Sequence, residues 1–460
     1  MPGQPAHSPC CTIVGARRSG IAAARLASEC GYRVFLTDAT PKEQLGDLLW
    51  LDHAGIEAEF GTHSLERALD TEVIVTSPGV PPSAPILQAA LDRGIPIVSE
   101  LEFASWHAHA PIVAITGTNG KTTTTALTAH ILSHTGYDAI ACGNIGLPLS
   151  DVVRNDRHDP PARRIYVVEA SSYQLLWTDR FHPRVAMILN ITPDHLSYHG
   201  SMEAYIRAKW KIFQNQTSDD VLILCADDPH AAEASRHARS HVRWFSLHPV
   251  VEGMYLRTSD DCIVEVCSTV EAKLMYRSEL PVRGVHNVYN AMAAALAARA
   301  FEVTNENIRD SLLSFAGVEH RLEHVRTIRG VEYINDSKAT NVNATWYALE
   351  AFEQPVVLLL GGQAESNDYS MLDATVRKRC RAVIAFGEQA PVIFNHFCTM
   401  VRCYQVRTLA DAVACAHRIA EDGDVVLLSP ACKSFDEFVN FEHRGTAFKE
   451  LVWQLPDVSQ

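Results

Sequence analysis

Short runs of β-branched and aliphatic residues recur along the chain, each followed by a polar turn and then by apolar residues at helical spacing. The first such unit predicts a strand over Cys11–Gly15 and an alanine-rich helix over Ile21–Glu29. Further strands are predicted over Tyr32–Leu36, Glu72–Thr76 and Ile95–Ser99, with a helix leading out over Glu100–His109. Strands without polar alternation, separated by helices, indicate a parallel sheet covered on both faces.

The pattern repeats in a second block. Strands are predicted at Pro111–Ile115, Ile165–Glu169, Val185–Asn190 and Val221–Cys225, with a helix running from a glycine-bearing loop through Ile131. From Val251 to Val282 the residues alternate, which predicts antiparallel pairing, and an alanine-rich helix over Asn287–Phe301 follows. A third block begins near Gly317, with strands at Tyr333–Ile334, Val356–Leu360, Ala382–Phe386 and Val425–Ser429. No internal repeat is evident.

Composition narrows the class. At 460 residues the chain is about three times a typical domain of roughly 150. A net charge of −14 argues against a general nucleic-acid binder, which needs a surplus of Lys and Arg on one face. It leaves room for small anions held by local N–H groups. The most apolar helical stretch, Ala291–Val303, is interrupted by Arg299, so no membrane span is expected. The N-terminus lacks the pattern of a signal peptide, and the twelve cysteines are scattered without a CxxC pair. A cytoplasmic protein with free thiols is expected.

The strongest chemical signal is Gly117-Thr118-Asn119-Gly120-Lys121-Thr122-Thr123 between a strand and a helix. Backbone N–H groups there can cradle phosphates, Lys121 adds charge, and the Thr122 hydroxyl suits Mg²⁺. Ile115 stands where the first glycine of the full phosphate-loop pattern belongs. Glu169 ends a strand, where a metal-binding carboxylate would lie. Asp194 and His195 repeat that arrangement. His195 and His199 have i, i+4 spacing, but Leu196 stands where a zincin needs Glu, so a protease-type zinc site is not expected. By composition alone Lys209 reads as a helix-surface lysine.

Gly15-Ala-Arg-Arg-Ser-Gly20 occupies the place of a dinucleotide loop, with Asp38 further on, but Arg17 replaces the middle glycine. A nucleotide diphosphate at the helix start fits better than an adenine dinucleotide. Two polar segments, Asn335–Asn341 and Ser429–Gly445, follow strands of the third block and read as binding loops.

Taken in order, these segments resemble the Mur ligases, ATP-dependent amide-forming enzymes of peptidoglycan synthesis. The markers are Thr116-Gly-Thr-Asn-Gly-Lys-Thr122, Glu169-Ala-Ser-Ser-Tyr-Gln174, Asn190-Ile-Thr-Pro-Asp-His195, Gly284-Val-His-Asn-Val-Tyr-Asn290, His320-Arg321 and Asn335-Asp-Ser-Lys-Ala-Thr340. Together they span essentially the whole chain. Thr76-Ser-Pro-Gly-Val80, Ser99-Glu-Leu-Glu102, Gly143-Asn-Ile-Gly146 and Leu428-Ser-Pro-Ala-Cys-Lys-Ser-Phe-Asp436 are similar to the D-glutamate-adding branch. The Asp-Asn-Pro-Arg motif of the diaminopimelate- or lysine-adding branch is absent, as is the His-Gly-Lys loop of the L-alanine-adding one.

The resemblance implies a three-domain α/β fold: a Rossmann-like domain over 1–105, a P-loop-type ATPase domain over 106–316 and a Rossmann-like domain over 317–460. The first would bind the UDP part of UDP-N-acetylmuramoyl-L-alanine through Arg18, Ser19, Asp38, Ser77 and Gly79, with Asn144 from the second. ATP would be held by Gly117 to Thr123, Asn287 and Asn290, with Arg321 and Asp336 from the third. Thr122, Glu169, His195 and a carbamylated Lys209 would hold Mg²⁺, two ions in all. Lys121, His195 and Lys209 would be the catalytic residues. Lys338, Thr340, Ser434 and Phe441 would hold D-glutamate. The resemblance also implies a monomer and domain closure.

Glu365, in Gly361-Gly-Gln-Ala-Glu365, departs from the family, which commonly has Lys there near the side-chain carboxylate of D-glutamate. An acid would repel that group, and Lys433 or Lys338 is the candidate to offset it. Three other readings remain: a ligase for another amino acid, a nicotinamide oxidoreductase built on the first block, and a non-catalytic nucleotide-binding scaffold. Arg17 and the Lys121 loop weigh against the second. Retention of Lys121, Glu169 and Lys209 weighs against the third.

Overall fold

The computed structural model describes residues 8–45, 48, 50–282, 284–363 and 367–457. Three sheets organise the chain. The first contains β1 (Cys10–Val14), β2 (Arg33–Asp38), β3 (Glu57–Phe60), β4 (Val73–Thr76) and β5 (Ile97–Ser99), all parallel, in the order β3-β2-β1-β4-β5. The strand order reverses at β1, which opens a crevice beyond the carboxyl ends of β1 and β4. The helix Arg18–Glu29 lies close against this sheet because its inner face is small, with Gly20, Ala22, Ala23 and Ala24 buried. A Cβ on Gly20 would fall 1.7 Å from the Gly15 carbonyl oxygen, so that approach requires glycine.

The second sheet has nine strands: β6 (Ile112–Thr116), β7 (Asp138–Gly143), β8 (Arg164–Glu169), β9 (Val185–Ile188), β10 (Val221–Cys225), β11 (His241–Ser246), β12 (Gly253–Arg257), β13 (Cys262–Cys267) and β14 (Val270–Tyr276). Their order is β14-β13-β12-β11-β10-β9-β6-β8-β7. The strands from β6 to β12 run parallel, and β12 to β14 form the antiparallel extension that the alternating pattern predicts. Here the order reverses at β6, which feeds the glycine-bearing loop.

These two sheets belong to one compact unit with Tyr289–Leu313. Its largest core is continuous from Ile13 and Leu36 of the first sheet to Tyr166, Val168 and Leu224 of the second. Glu102 fixes the junction. This fully buried carboxylate accepts the Trp106 indole N–H at 2.7 Å and the backbone N–H groups of Asp179, Arg180 and Phe181 at 2.8–3.0 Å.

The second unit joins Leu280–Val288 to the third sheet. That sheet contains β15 (Glu323–Ile328), β16 (Val331–Asn335), β17 (Val356–Gly361), β18 (Cys380–Phe386), β19 (Arg402–Gln405) and β20 (Val425–Leu428), in the order β15-β16-β20-β17-β18-β19. Only the β15–β16 pair is antiparallel. Separate apolar cores cover its two faces, around Leu358 and Leu360 on one and Val357 and Leu359 on the other. No helix among the described residues is long and apolar enough to cross a membrane.

Candidate active site

The crevice of the first sheet is a cleft of about 800 Å³. Arg18, Ser19, Asp38, Ser77, Gly79 and Asn144, the six residues expected to hold the UDP moiety, all line it. Asp38 organises the cleft from below, its carboxylate accepting the N–H groups of Ala16 at 2.6 Å and Thr40 at 2.8 Å. Burial pushes this carboxyl upward, but the hydrogen bonds outweigh it and hold the group below the ordinary range. Arg17 has φ −93° and extended backbone at the N-cap of its helix, so its position does not require glycine. The N–H groups of that helix and two exposed arginines thus face the cleft, an arrangement suited to a diphosphate.

A second site opens after β6. Gly120 caps the helix Lys121–His134 with φ 84°, and a Cβ there would come 2.5 Å from Asn290 Oδ1, so both backbone and space call for glycine. The loop is braced by Asn190, which accepts the Asn119 N–H at 2.9 Å and returns a bond to the Asn119 carbonyl at 3.1 Å. Asn290 Oδ1 also accepts from Thr124 at 3.2 Å. Lys121 lies across the loop, its ammonium donating to the carbonyls of Gly117 and Thr118 at 2.9 and 2.8 Å. Thr123 is buried in the first turn of the helix.

Glu169 meets this loop from the end of β8. Its Oε2 accepts the Thr122 hydroxyl at 2.8 Å, and its Oε1 accepts the Asn144 amide at 2.9 Å. Asn144 therefore touches both the cleft and the carboxylate under the phosphate loop.

Lys209 is not a surface lysine. It is 1% exposed, on the inner face of the helix Met202–Trp210, and donates to the Gly117 carbonyl at 2.8 Å. Its ammonium sits 4.7 Å from the Tyr205 ring centroid. Burial, and then repulsion from Lys121, hold its pKa well below the ordinary lysine value, with Asp194 opposing weakly. Composition suggested a snorkelling side chain, but the helix packs with this face inward.

Exposed His195 has φ 53°, with Nδ1 3.4 Å from Asp194 and its ring 4.9 Å from Tyr173. His199 bonds Ser172 at 3.0 Å, and burial holds its pKa down to about 4. Among the described residues no group of three or more His, Cys, Asp or Glu side chains is placed to hold a metal. Thr122 and Glu169 do supply hard oxygens of the kind Mg²⁺ takes. Lys209 as an amine supplies none.

In the second unit Asp336 follows β16 and is 1% exposed. It accepts from the Ser429 hydroxyl at 2.9 Å and the Leu322 N–H at 3.3 Å, with Arg321 at 4.0 Å. Burial raises its carboxyl to about 6 against the pull of Arg321. Lys338 lies 5.2 Å over the Phe441 ring, Thr340 donates its N–H to the Lys338 carbonyl at 2.9 Å, and Ser434 is buried after β20. Asn287 is buried near the start of the helix Val285–Arg299, in the stretch that belongs to the second unit.

Three family models match the chain in succession. They are described as the MurD-like N-terminal domain of Mur ligases over residues 10–99, the Mur ligase middle domain over 115–298, and the Mur ligase glutamate ligase domain over 320–432. The chain belongs to the Mur ligase family. A Mur ligase of Salinibacter ruber named UDP-N-acetylmuramoylalanine--D-glutamate ligase is 47% identical over 96% of this chain and 97% of its own. One of the same name from Chloroherpeton thalassium is 43% identical over 97% and 98%. Among solved structures, the UDP-N-acetylmuramate-alanine ligase MurC of Thermotoga maritima matches at TM-score 0.60 and 19% identity, covering 97% of this chain and 99% of that one. MurF of Acinetobacter baumannii matches at 0.59 and 21%, covering 83% and 85%. These likenesses establish the Mur ligase fold.

Sequence reading of this Mur ligase passed over two residues that build the site. Tyr205 hydrogen-bonds Thr118 of the loop at 3.1 Å and lies under Lys209; its i, i+4 spacing from that lysine was the available signal. Arg444 is fully buried, with Nε donating to Ser337 Oγ at 3.0 Å and its two terminal nitrogens to the carbonyls of Cys432 and Ser337 at 3.0 and 2.8 Å. It ties the loop after β16 to the loop after β20. Lys433 is exposed beside it, and Glu365 lies outside the described residues.

Proposed function

We propose that the chain adds D-glutamate to UDP-N-acetylmuramoyl-L-alanine in the cytoplasm at the expense of ATP, releasing ADP and phosphate. The names of relatives at 40–47% identity over nearly the whole chain support this reading. One structural observation carries it: Asn144 lines the UDP cleft while holding Glu169, which holds Thr122 of the phosphate loop. A transfer between nucleotide and nucleotide-sugar substrate needs the two sites adjacent, and these contacts join their walls.

A carboxylate does not react with an amine directly. The γ-phosphoryl group of ATP first passes to an oxygen of the L-alanyl carboxylate, giving an acyl phosphate and ADP. The amine of D-glutamate then attacks the carbonyl carbon; the tetrahedral intermediate loses phosphate through its C–O bond, and the nitrogen loses a proton. Gly117 to Thr123, with Asn287 and Asn290, hold ATP, and Lys121 leaves the loop carbonyls to meet its phosphates. By family resemblance Arg321 and Asp336 are assigned to the nucleotide, and Lys338, Thr340, Ser434 and Phe441 to D-glutamate. His195 orients the reacting groups.

Thr122, Glu169, His195 and a carbamylated Lys209 would hold Mg²⁺, which neutralises charge on the transferring phosphoryl group. Carbamylation suits Lys209, because burial favours the neutral amine, which can attack CO₂ through its nitrogen, lose a proton and leave an anionic carbamate. That exchanges a buried amine for anionic oxygen ligands.

The test is phosphate release from ATP and Mg²⁺ with UDP-N-acetylmuramoyl-L-alanine, comparing D-glutamate with L-glutamate, L-lysine and no amino acid. Release that requires D-glutamate is expected. Release with another amine would move the substrate, and release with none of them would reject the ligase reading.

A further inference from the structure

His63 lines the same cleft as Arg18, Asp38 and Asn144, yet no step above uses it. It follows β3, two strands along the sheet from β1, whose loop leads into the Arg18 helix. At about 4.8 Å per strand its backbone sits roughly 10 Å along the sheet edge from the phosphate end, and its side chain reaches back over β2 to Thr37, one strand from that end.

The side chain is held rather than left to swing. The Gly61 N–H donates to the carbonyl of Asp38 at 2.9 Å and to that of Thr40 at 3.1 Å, fastening the turn to the end of β2. Glu59 accepts both the N–H and the hydroxyl of Ser64, fastening the other side. The imidazole Nδ1 is 2.8 Å from the Thr37 hydroxyl, which is itself fully buried. With Nδ1 engaged inward, Nε2 is the ring nitrogen left for a ligand in the cleft. Burial holds the imidazole pKa below its ordinary value, although Asp38 and Glu59 pull the other way. A neutral ring is a poor phosphate counter-charge, and Arg17, Arg18 and the helix N-terminus already supply one at the other end.

We infer that His63 contacts the uridine moiety of the substrate, its Nε2 hydrogen-bonding the base or the ribose while the arginine end holds the diphosphate. The inference rests on the UDP-substrate reading above.

The test uses the full chain with its phosphate loop filled by Mg²⁺ and a non-hydrolysable ATP analogue, titrated with UDP and separately with inorganic pyrophosphate. His63→Ala should weaken UDP binding about 3- to 10-fold, the weight of one hydrogen bond, and leave pyrophosphate unchanged. His63→Gln, whose amide reaches toward the Nε2 position, should restore part of the loss. In turnover, KM for the UDP substrate should rise while kcat and KM for ATP hold. Unchanged UDP affinity in His63→Ala would overturn the assignment. Equal losses for UDP and pyrophosphate would also overturn it, placing His63 at the phosphates and leaving the UDP reading intact. A wild-type chain that does not bind UDP would overturn both.

Discussion

Asn144 and Glu169 are joined by a hydrogen bond of 2.9 Å, and through it the wall of the first-sheet cleft is continuous with the loop that starts the helix Lys121–His134. The other Glu169 oxygen is taken by Thr122 at 2.8 Å. A carboxylate 2% exposed, with both oxygens engaged, leaves two orphaned donors when it is removed. Glu169→Ala should therefore lower kcat by about 10²- to 10³-fold. Asn144→Ala should raise KM for the UDP substrate and also lower kcat, by about 10-fold. Steady-state kinetics separates the two; an Asn144→Ala enzyme with altered KM and intact kcat would contradict the coupling.

Buried Lys209 makes a chemical prediction. Burial and Lys121 both favour its neutral form, the form that attacks CO₂, more than in an ordinary lysine. Activity of enzyme prepared free of CO₂ should rise on adding bicarbonate. Lys209→Ala should be inactive and partly rescued by short carboxylic acids, while Lys209→Arg should not respond to bicarbonate. Bicarbonate-independent activity in the wild type would remove the carbamate from the account.

Asp336 carries a pH signature. Its carboxyl is raised from 3.8 to about 6, so the folded state binds the proton more tightly than the unfolded chain does. The resulting stabilisation is complete below pH 3.8 and fades as the pH climbs to about 6, an effect of up to roughly 3 kcal/mol. Unfolding of the wild type relative to Asp336→Asn should thus be more favourable at pH 7 than at pH 4. A difference that does not vary with pH would contradict the burial argument.

Glu102 is a stability prediction for the junction of the first two sheets. Glu102→Ala strands four donors that now share one carboxylate and should cost about 3–5 kcal/mol in denaturant unfolding. A loss below about 1 kcal/mol would mean that water replaces it readily.

Much of the fold was legible because its central strands are buried on both faces: β1, β8, β10, β17 and β20 all read as apolar runs. The strands that escaped sequence reading are mostly at sheet edges. β3, with Glu57-Ala-Glu-Phe60, and β19, with Arg402-Cys-Tyr-Gln405, pair on one side only and carry polar residues accordingly. β7 and β15 are edges too, whereas β11 is internal and was obscured by its polar start at His241. The phosphate loop was readable because strand, glycines and Lys-Thr are contiguous. Arg444, Tyr205 and the burial of Lys209 were not, since each depends on which helical face turns inward and on partners far along the chain.

If ATP activates the L-alanyl carboxylate before D-glutamate attacks, an oxygen of that carboxylate leaves with the phosphate. The most direct measurement labels that carboxylate with heavy oxygen and analyses the phosphate released during D-glutamate-dependent turnover by mass spectrometry. One labelled oxygen should appear in each phosphate, carried from the carboxylate through the acyl phosphate. Unlabelled phosphate, released while the amide forms, would contradict the account.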